Sequence, residues 1–95
     1  MGDLLTAVRG TLHIYNSSLY DEAIEDWIGE AKAELIRSGV LSEVANDESN
    51  ALVRAAIKAY AQREFTDDPV KKGKYDEAFQ YRQDCLRKSK GYGYD

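Results

Sequence analysis

Residues 21–26 contain four carboxylates, and these are the first side chains in the sequence whose types and spacing could support catalysis or metal binding. Asp21, Glu22, Glu25 and Asp26 could supply a general acid and base, or ligands for a metal ion. On a helix, the four-residue spacing places Glu22 beside Asp26. No apolar surroundings raise a carboxyl pKa here, and no histidine stands at ligand spacing. We therefore interpret this cluster as a solvated helix face that suits the helix dipole.

The single histidine, His13, and the single cysteine, Cys85, offer at most one base and one nucleophile. Cys85 falls near the apolar stripe of a predicted helix, where a packed thiol is the simpler interpretation. The sequence has no phosphate-binding glycine loop and no dinucleotide turn, and residues 46–50 lack the glycine and final glutamate of an EF-hand. We therefore expect no enzyme, no catalytic or metal-binding residues, and no cofactor.

The C-terminal end combines basic and aromatic side chains. Gly91-Tyr92-Gly93-Tyr94 follows Lys88 and Lys90, and tyrosine is enriched at protein interfaces. Three interpretations stay open: a docking tail that orders on a partner, a disordered end with incidental aromatics, and a stacking platform for single-stranded nucleic acid. We interpret the sequence Asp67-Asp68-Pro69 first as a turn at the start of a helix. The alternative is a loop that contacts a neighbouring subunit.

The elements that carry these residues are predicted to be helices in a single small domain. Helical spacing of apolar residues marks a first helix at about 3–13 through Leu4, Leu5, Val8 and Leu12. A second follows Ser18 as N-cap, with Asp21 completing a capping-box-like start, and ends at Gly39. Its inner face is predicted to comprise Ile24, Trp27, Ile28, Ala31 and Leu35.

Two further helices complete the predicted bundle. The third runs from about 48 to 65, with Asp47 as N-cap and an inner stripe of Leu52, Val53, Ala56, Ile57, Tyr60 and Ala61. The fourth follows Pro69, with an inner face of Tyr75, Ala78, Phe79, Arg82 and Leu86. The fold class is therefore all-α: a small bundle of about four helices, with a loop at 39–47. Residues 1–90 are predicted to form the domain and 91–95 a flexible C-terminal tail.

Charge and hydropathy exclude several classes of partner. The net charge of −4 argues against general binding to a phosphate backbone. Residues 1–65 hold eleven acidic and six basic side chains, so the acidic excess lies in the first two-thirds of the chain. No apolar run approaches the roughly 20 residues that a membrane-spanning helix needs. We expect no membrane partner.

Three stretches of the sequence together resemble a known family. They are Ala31-Lys32-Ala33-Glu34-Leu35-Ile36-Arg37-Ser38-Gly39-Val40, the helix Leu52-Val53-Arg54-Ala55-Ala56-Ile57-Lys58-Ala59-Tyr60-Ala61-Gln62-Arg63-Glu64-Phe65, and Lys74-Tyr75-Asp76-Glu77-Ala78-Phe79. In this order they are similar to the small head–tail connector proteins of long-tailed bacteriophages, often labelled DNA-packaging or head-completion proteins. The resemblance spans about residues 4–94.

The resemblance implies a structural role in the virion, after assembly from subunits in the host cytoplasm. Such proteins form a ring under the portal vertex, expected to be dodecameric, which completes the filled head and extends the DNA channel toward the next head-completion or tail protein. The implied portal-docking residues are Lys88, Lys90, Gly91, Tyr92, Gly93 and Tyr94. Asp67, Asp68 and Pro69 are candidates for contact between subunits. DNA would pass without sequence-specific binding, and a channel-facing acidic surface of Glu22, Glu25, Asp26, Glu30 and Glu34 would repel it.

Two alternatives remain from other classes of protein. A small helical DNA-binding regulator would need a helix-turn-helix, but the loop at 39–47 is longer than the usual turn, and the following helix opens with Asp47 and Glu48. The second alternative is a generic helical module that binds other proteins and has no role in a phage.

Overall fold

Five α-helices make up the domain in the computed structural model, which describes residues 2–14, 18–89 and 91–93. They are α1 (Gly2–Thr11), α2 (Asp21–Arg37), α3 (Ser42–Ala45), α4 (Ala51–Phe65) and α5 (Pro69–Lys88). Within the described ranges there is no β-strand, only an isolated antiparallel bridge between Val40 and Gly93. The predicted all-α fold is confirmed, and the short α3 lies inside the predicted loop at 39–47.

Helix α4 is the centre of the domain, because α1, α2 and α5 all pack against it. Its buried alanines, Ala56, Ala59 and Ala61, present little side-chain bulk to these neighbours. The domain is flat, with extents of 41 × 31 × 17 Å. The larger fully buried side chains are Leu4, Val8, Ile24, Leu35, Val40, Val53, Ile57 and Leu86.

The start of α2 differs from the predicted cap. Tyr20, not Ser18, occupies the N-cap position, and no side chain caps the helix there. Instead of completing a capping box, the Asp21 carboxylate receives the Arg9 guanidinium, with Nε donating to Oδ1 at 2.8 Å. The carboxylate thus ties the end of α1 to the first turn of α2.

The starts of α4 and α5 are both capped by side chains. Asn50, not the predicted Asp47, caps α4: its Oδ1 accepts from the backbone N–H of Leu52 at 2.9 Å. Asp47 instead accepts from the Ser49 hydroxyl at 2.6 Å, within the preceding turn. Asp68 caps α5 by accepting from the Val70 N–H at 2.9 Å. This agrees with the first interpretation of the Asp-Asp-Pro turn, that of a helix start.

The inner face of α5 is narrower than the sequence predicts. Among its 20 residues only Phe79 and Leu86 are buried. Ala78 and Arg82, predicted to face inward, are exposed, and Tyr75 is half-buried. The reason is that α5 packs chiefly on α4, which covers only one narrow side of a 20-residue helix.

Two helix glycines offer a stability prediction. Gly29 in α2 and Gly73 in α5 are exposed, and a Cβ added at either would have no atom within 4 Å. Gly29→Ala and Gly73→Ala should each raise the free energy of unfolding by roughly 0.5–1 kcal/mol, since Gly is the costlier residue in a helix interior. Urea denaturation measures this. Gly39→Ala is the control with the opposite sign, because Gly39 has a φ of 115°. Destabilisation by both helix substitutions would contradict the prediction.

Candidate interaction surfaces

A groove lined by aromatic side chains opens at one end of the domain, where the ends of α1 and α4 meet the starts of α2 and α5. Its volume is about 690 Å³. Three rings contact one another in its wall: Phe65 meets Tyr20 edge-on at a centroid distance of 5.5 Å, and Trp27 at 6.3 Å. His13, which has a φ of 61°, and Asp67 also line it. We call this the aromatic groove.

Large apolar side chains in and beside the aromatic groove are exposed to solvent and not buried in the core. Tyr20 is 40% exposed, Phe65 36%, and the neighbouring Leu19 79%. Clustered exposed apolar side chains mark interaction sites more often than scattered ones do. Sequence patterns alone did not identify this groove. The available signal was that Leu19, Tyr20 and Phe65 fall at helix ends, outside the core stripes.

The predicted acidic surface on α2 divides into two parts. Glu22, Glu25 and Asp26 are exposed. Glu30 is exposed as well, but it accepts a hydrogen bond from the Tyr60 hydroxyl at 3.1 Å, and the half-buried Glu34 receives Arg37 Nη2 at 2.7 Å. The five carboxylates therefore do not form one uniform solvated face.

The contacts of Glu30 and Glu34 shift the pKa values of two groups, the Tyr60 hydroxyl and the Glu34 carboxyl. Burial, with the neighbouring Glu30 carboxylate, raises the pKa of the Tyr60 hydroxyl above its ordinary value. The Arg37 guanidinium lowers the pKa of Glu34 by donating to its carboxylate. Glu34 is therefore charged at neutral pH and engaged locally, which leaves the N-terminal half of α2 as the more open acidic surface.

Arg63 is the centre of a second, polar cluster, which lines a pocket of about 380 Å³ formed by α2, α4 and α5. Its guanidinium lies 4.3 Å from the centroid of the Tyr60 ring and donates through Nη1 to Asp76 at 2.6 Å. Glu64 also pairs with it, at 3.2 Å. With both carboxylates engaged, the cluster joins the two helices and satisfies its own charges.

Residues 91–93 of the predicted C-terminal tail lie against the domain. The backbone N–H of Leu41 donates to the Tyr92 carbonyl at 2.8 Å, and Asn50 Nδ2 donates to the Tyr92 hydroxyl at 3.2 Å. Tyr92 is half-buried against the core, and Gly91 makes the reversal with a φ of 87°. Backbone pairing and ring burial hold this segment. Of the predicted docking residues, Lys88 is exposed on α5, whereas Lys90 and Tyr94 lie outside the described residues.

The remaining candidates are placed as follows. Asp67, Asp68 and Pro69 are exposed at the start of α5, and Cys85 is half-buried on that helix. Over the described ranges, no group of three His, Cys, Asp or Glu side chains is arranged to hold a metal ion. No helix in the same ranges is long and apolar enough to cross a membrane.

Comparison with protein-family models, with curated proteins and with solved structures gave no match. What the described residues define is therefore a class of structure: a flat all-helical domain with an aromatic groove at one end, an acidic half-helix beside it, and a C-terminal segment folded back on the domain.

Proposed function

We propose that this protein is a head–tail connector subunit of a long-tailed bacteriophage, which assembles as a ring under the portal vertex and extends the DNA channel toward the tail. The observation that carries the proposal is the exposed aromatic groove on a flat helical domain. A surface of this kind suits contact with another protein. Repeated head-to-tail contact between identical subunits closes into a ring when the rotation allows it.

In the proposed ring, the bore must let DNA pass without retaining it. The exposed carboxylates of α2, Glu22, Glu25 and Asp26, are the candidates for such a surface, because they would repel phosphates. Glu30 and Glu34 contribute less, since Tyr60 and Arg37 already engage them. The net charge of −4 suits a conduit rather than a DNA-binding protein.

The proposed partners are the portal, further copies of this chain, and the next head-completion or tail protein, all within the virion. The ring would follow portal symmetry and be dodecameric. Lys88, Lys90 and Tyr94 remain the candidates for portal docking. Tyr92 and Gly93 would first have to leave their contacts with Leu41 and Arg87 to take part.

Electron microscopy of the purified chain mixed with a portal protein from the same genome tests this proposal. We expect a ring of added density coaxial with the portal. Lys88→Glu should reduce the fraction of portals that carry the ring, whereas Lys72→Glu, a charge reversal at an exposed position near the other end of α5, should not. Portals without added density at saturating protein would overturn the proposal. Duplex binding with a steep salt dependence would instead favour a DNA-binding regulator.

A further inference from the structure

Opposite charges are segregated onto the two helices that flank α4. Helix α2 carries six acidic and two basic side chains, a net of −4. Helix α5 carries six basic and three acidic side chains, a net of +3. Both helices pack on α4, and they meet each other where Gln83 Nε2 donates to the Glu34 carbonyl at 3.3 Å. One chain therefore presents an acidic flank and a basic flank.

The basic flank carries an exposed aromatic side chain. Tyr81 on α5 is 63% exposed, and the Arg82 guanidinium lies 5.8 Å from the centroid of its ring. Residues 74, 81 and 88 recur at seven-residue spacing and so share one side of the helix. Lys74 and Lys88 are both exposed there. We call the part of this surface formed by Lys74, Tyr81 and Arg82 the Tyr81 face, and Lys88, at the end of the helix, stays a candidate for portal docking.

The acidic flank adjoins the aromatic groove. Ala23 and Trp27 line the groove from α2, and Glu22 and Asp26 precede them by one residue on the adjacent exposed ridge. At the rim itself, Asp67 and Lys71 carry opposite charges. Glu64, which also lines the groove, is paired with Arg63. Most of the unpaired acidity beside the groove therefore comes from α2. Glu25 lies on the opposite side of α2 from Trp27, because two residues correspond to about 200° of helical rotation.

We propose that the Tyr81 face of one copy docks in the aromatic groove of the next copy. Tyr81 would add a fourth ring to the Tyr20, Phe65 and Trp27 cluster, and Lys74 and Arg82 would face Glu22 and Asp26. Exposed rings and charges of opposite sign suit such an interface.

The two surfaces differ, so the contact is head-to-tail and can repeat. That these contacts close into a ring rests on the proposed function, whereas the contact between two copies does not depend on it. Glu25 stays available to the bore.

Thiol crosslinking of this chain alone tests the contact. In a Cys85→Ser background, Ala78→Cys places a thiol beside Tyr81, and Asp67→Cys places one at the rim of the groove. With both thiols and a short bis-maleimide at high chain concentration, we expect a ladder of dimers, trimers and longer multimers. Either thiol alone should stop at dimers. The matched control pairs Ala78→Cys with Glu43→Cys, an exposed position in α3 that follows the C-terminal end of α2, and should give no such ladder.

Two further variants tie the ladder to the proposed surfaces. Tyr81→Ala should reduce the multimers about tenfold, the effect of losing an aromatic anchor. Lys74→Glu with Arg82→Glu should reduce them similarly, and Glu22→Lys with Asp26→Lys should restore them in that background. No ladder, or an equal ladder from the Glu43→Cys control, overturns the inference. A ladder without portal-bound rings would overturn the proposed function alone. Portal-bound rings that fail to crosslink through these thiols would overturn only this contact.

Discussion

Phe79→Ala is expected to lower the free energy of unfolding by about 3–5 kcal/mol, and Leu86→Ala by about 2–5 kcal/mol. These are the only two α5 side chains that are buried in the described structure. Phe79 also meets the Tyr60 ring at 5.3 Å and lies near the Arg63 guanidinium. A domain of this size has a total stability of roughly 5–15 kcal/mol. Losing either contact should therefore leave α5 poorly attached to α4.

Urea denaturation followed by circular dichroism measures this prediction, with the fluorescence of Trp27, on α2, as a second probe. Tyr81→Ala is the control: it removes a ring from the same helix at a 63% exposed position and should change stability by no more than about 0.5 kcal/mol. Non-coincident transitions for the two probes would show that α5 detaches before the rest unfolds. A loss below about 1 kcal/mol for Phe79→Ala would contradict the view that α5 depends on this contact.

Periodicity predicted most of the cores of α1, α2 and α4 because their apolar residues are numerous enough to define one side of each helix. Leu52 is an exception: it was predicted on the inner stripe of α4 but is 36% exposed, in the first turn of the helix. Leu4, Val8 and Leu12 are buried as predicted, and so are Ile24, Ile28, Ala31 and Leu35. Helix α5 has too few apolar residues to define its inner side. Ala78 and Arg82 fit the spacing but are exposed, because the position of α4, and not the local pattern, decides which side is covered.

Features that depend on distant residues could not be predicted from local patterns. The groove requires Tyr20 and Phe65 to meet across 45 positions of sequence. The cap of α2 was mispredicted because Asp21 is engaged by Arg9, twelve residues away. The C-terminal segment was expected to be free, since nothing near residue 92 in the sequence indicates that Leu41 and Asn50 will pair with it. The acidic half of α2 was recognised because its four carboxylates lie within six residues of sequence.

Gly93→Ala is expected to release the C-terminal segment from the domain. A Cβ at this position would collide with the Arg87 carbonyl oxygen and crowd the Gly39 carbonyl. Backbone atoms cannot move aside as a flexible side chain would, so the segment must shift. The Leu41–Tyr92 hydrogen bond and the burial of the Tyr92 ring should then be lost. Forcing extra atoms into a packed site costs roughly 1–3 kcal/mol, and release of the segment limits the cost to whatever its docking contributes.

Hydrogen exchange at the Leu41 amide measures this release directly, because that N–H donates to the Tyr92 carbonyl. We expect Gly93→Ala to accelerate exchange at Leu41 while leaving the core amides of α4 protected. Gly73→Ala, where an added Cβ meets nothing within 4 Å, is the matched control and should leave Leu41 unchanged. Tyr92→Phe should give an intermediate effect, since it removes only the hydroxyl that Asn50 contacts. Unaltered protection of Leu41 in Gly93→Ala would mean that the segment tolerates the methyl group, and that the Arg87 carbonyl does not determine its position.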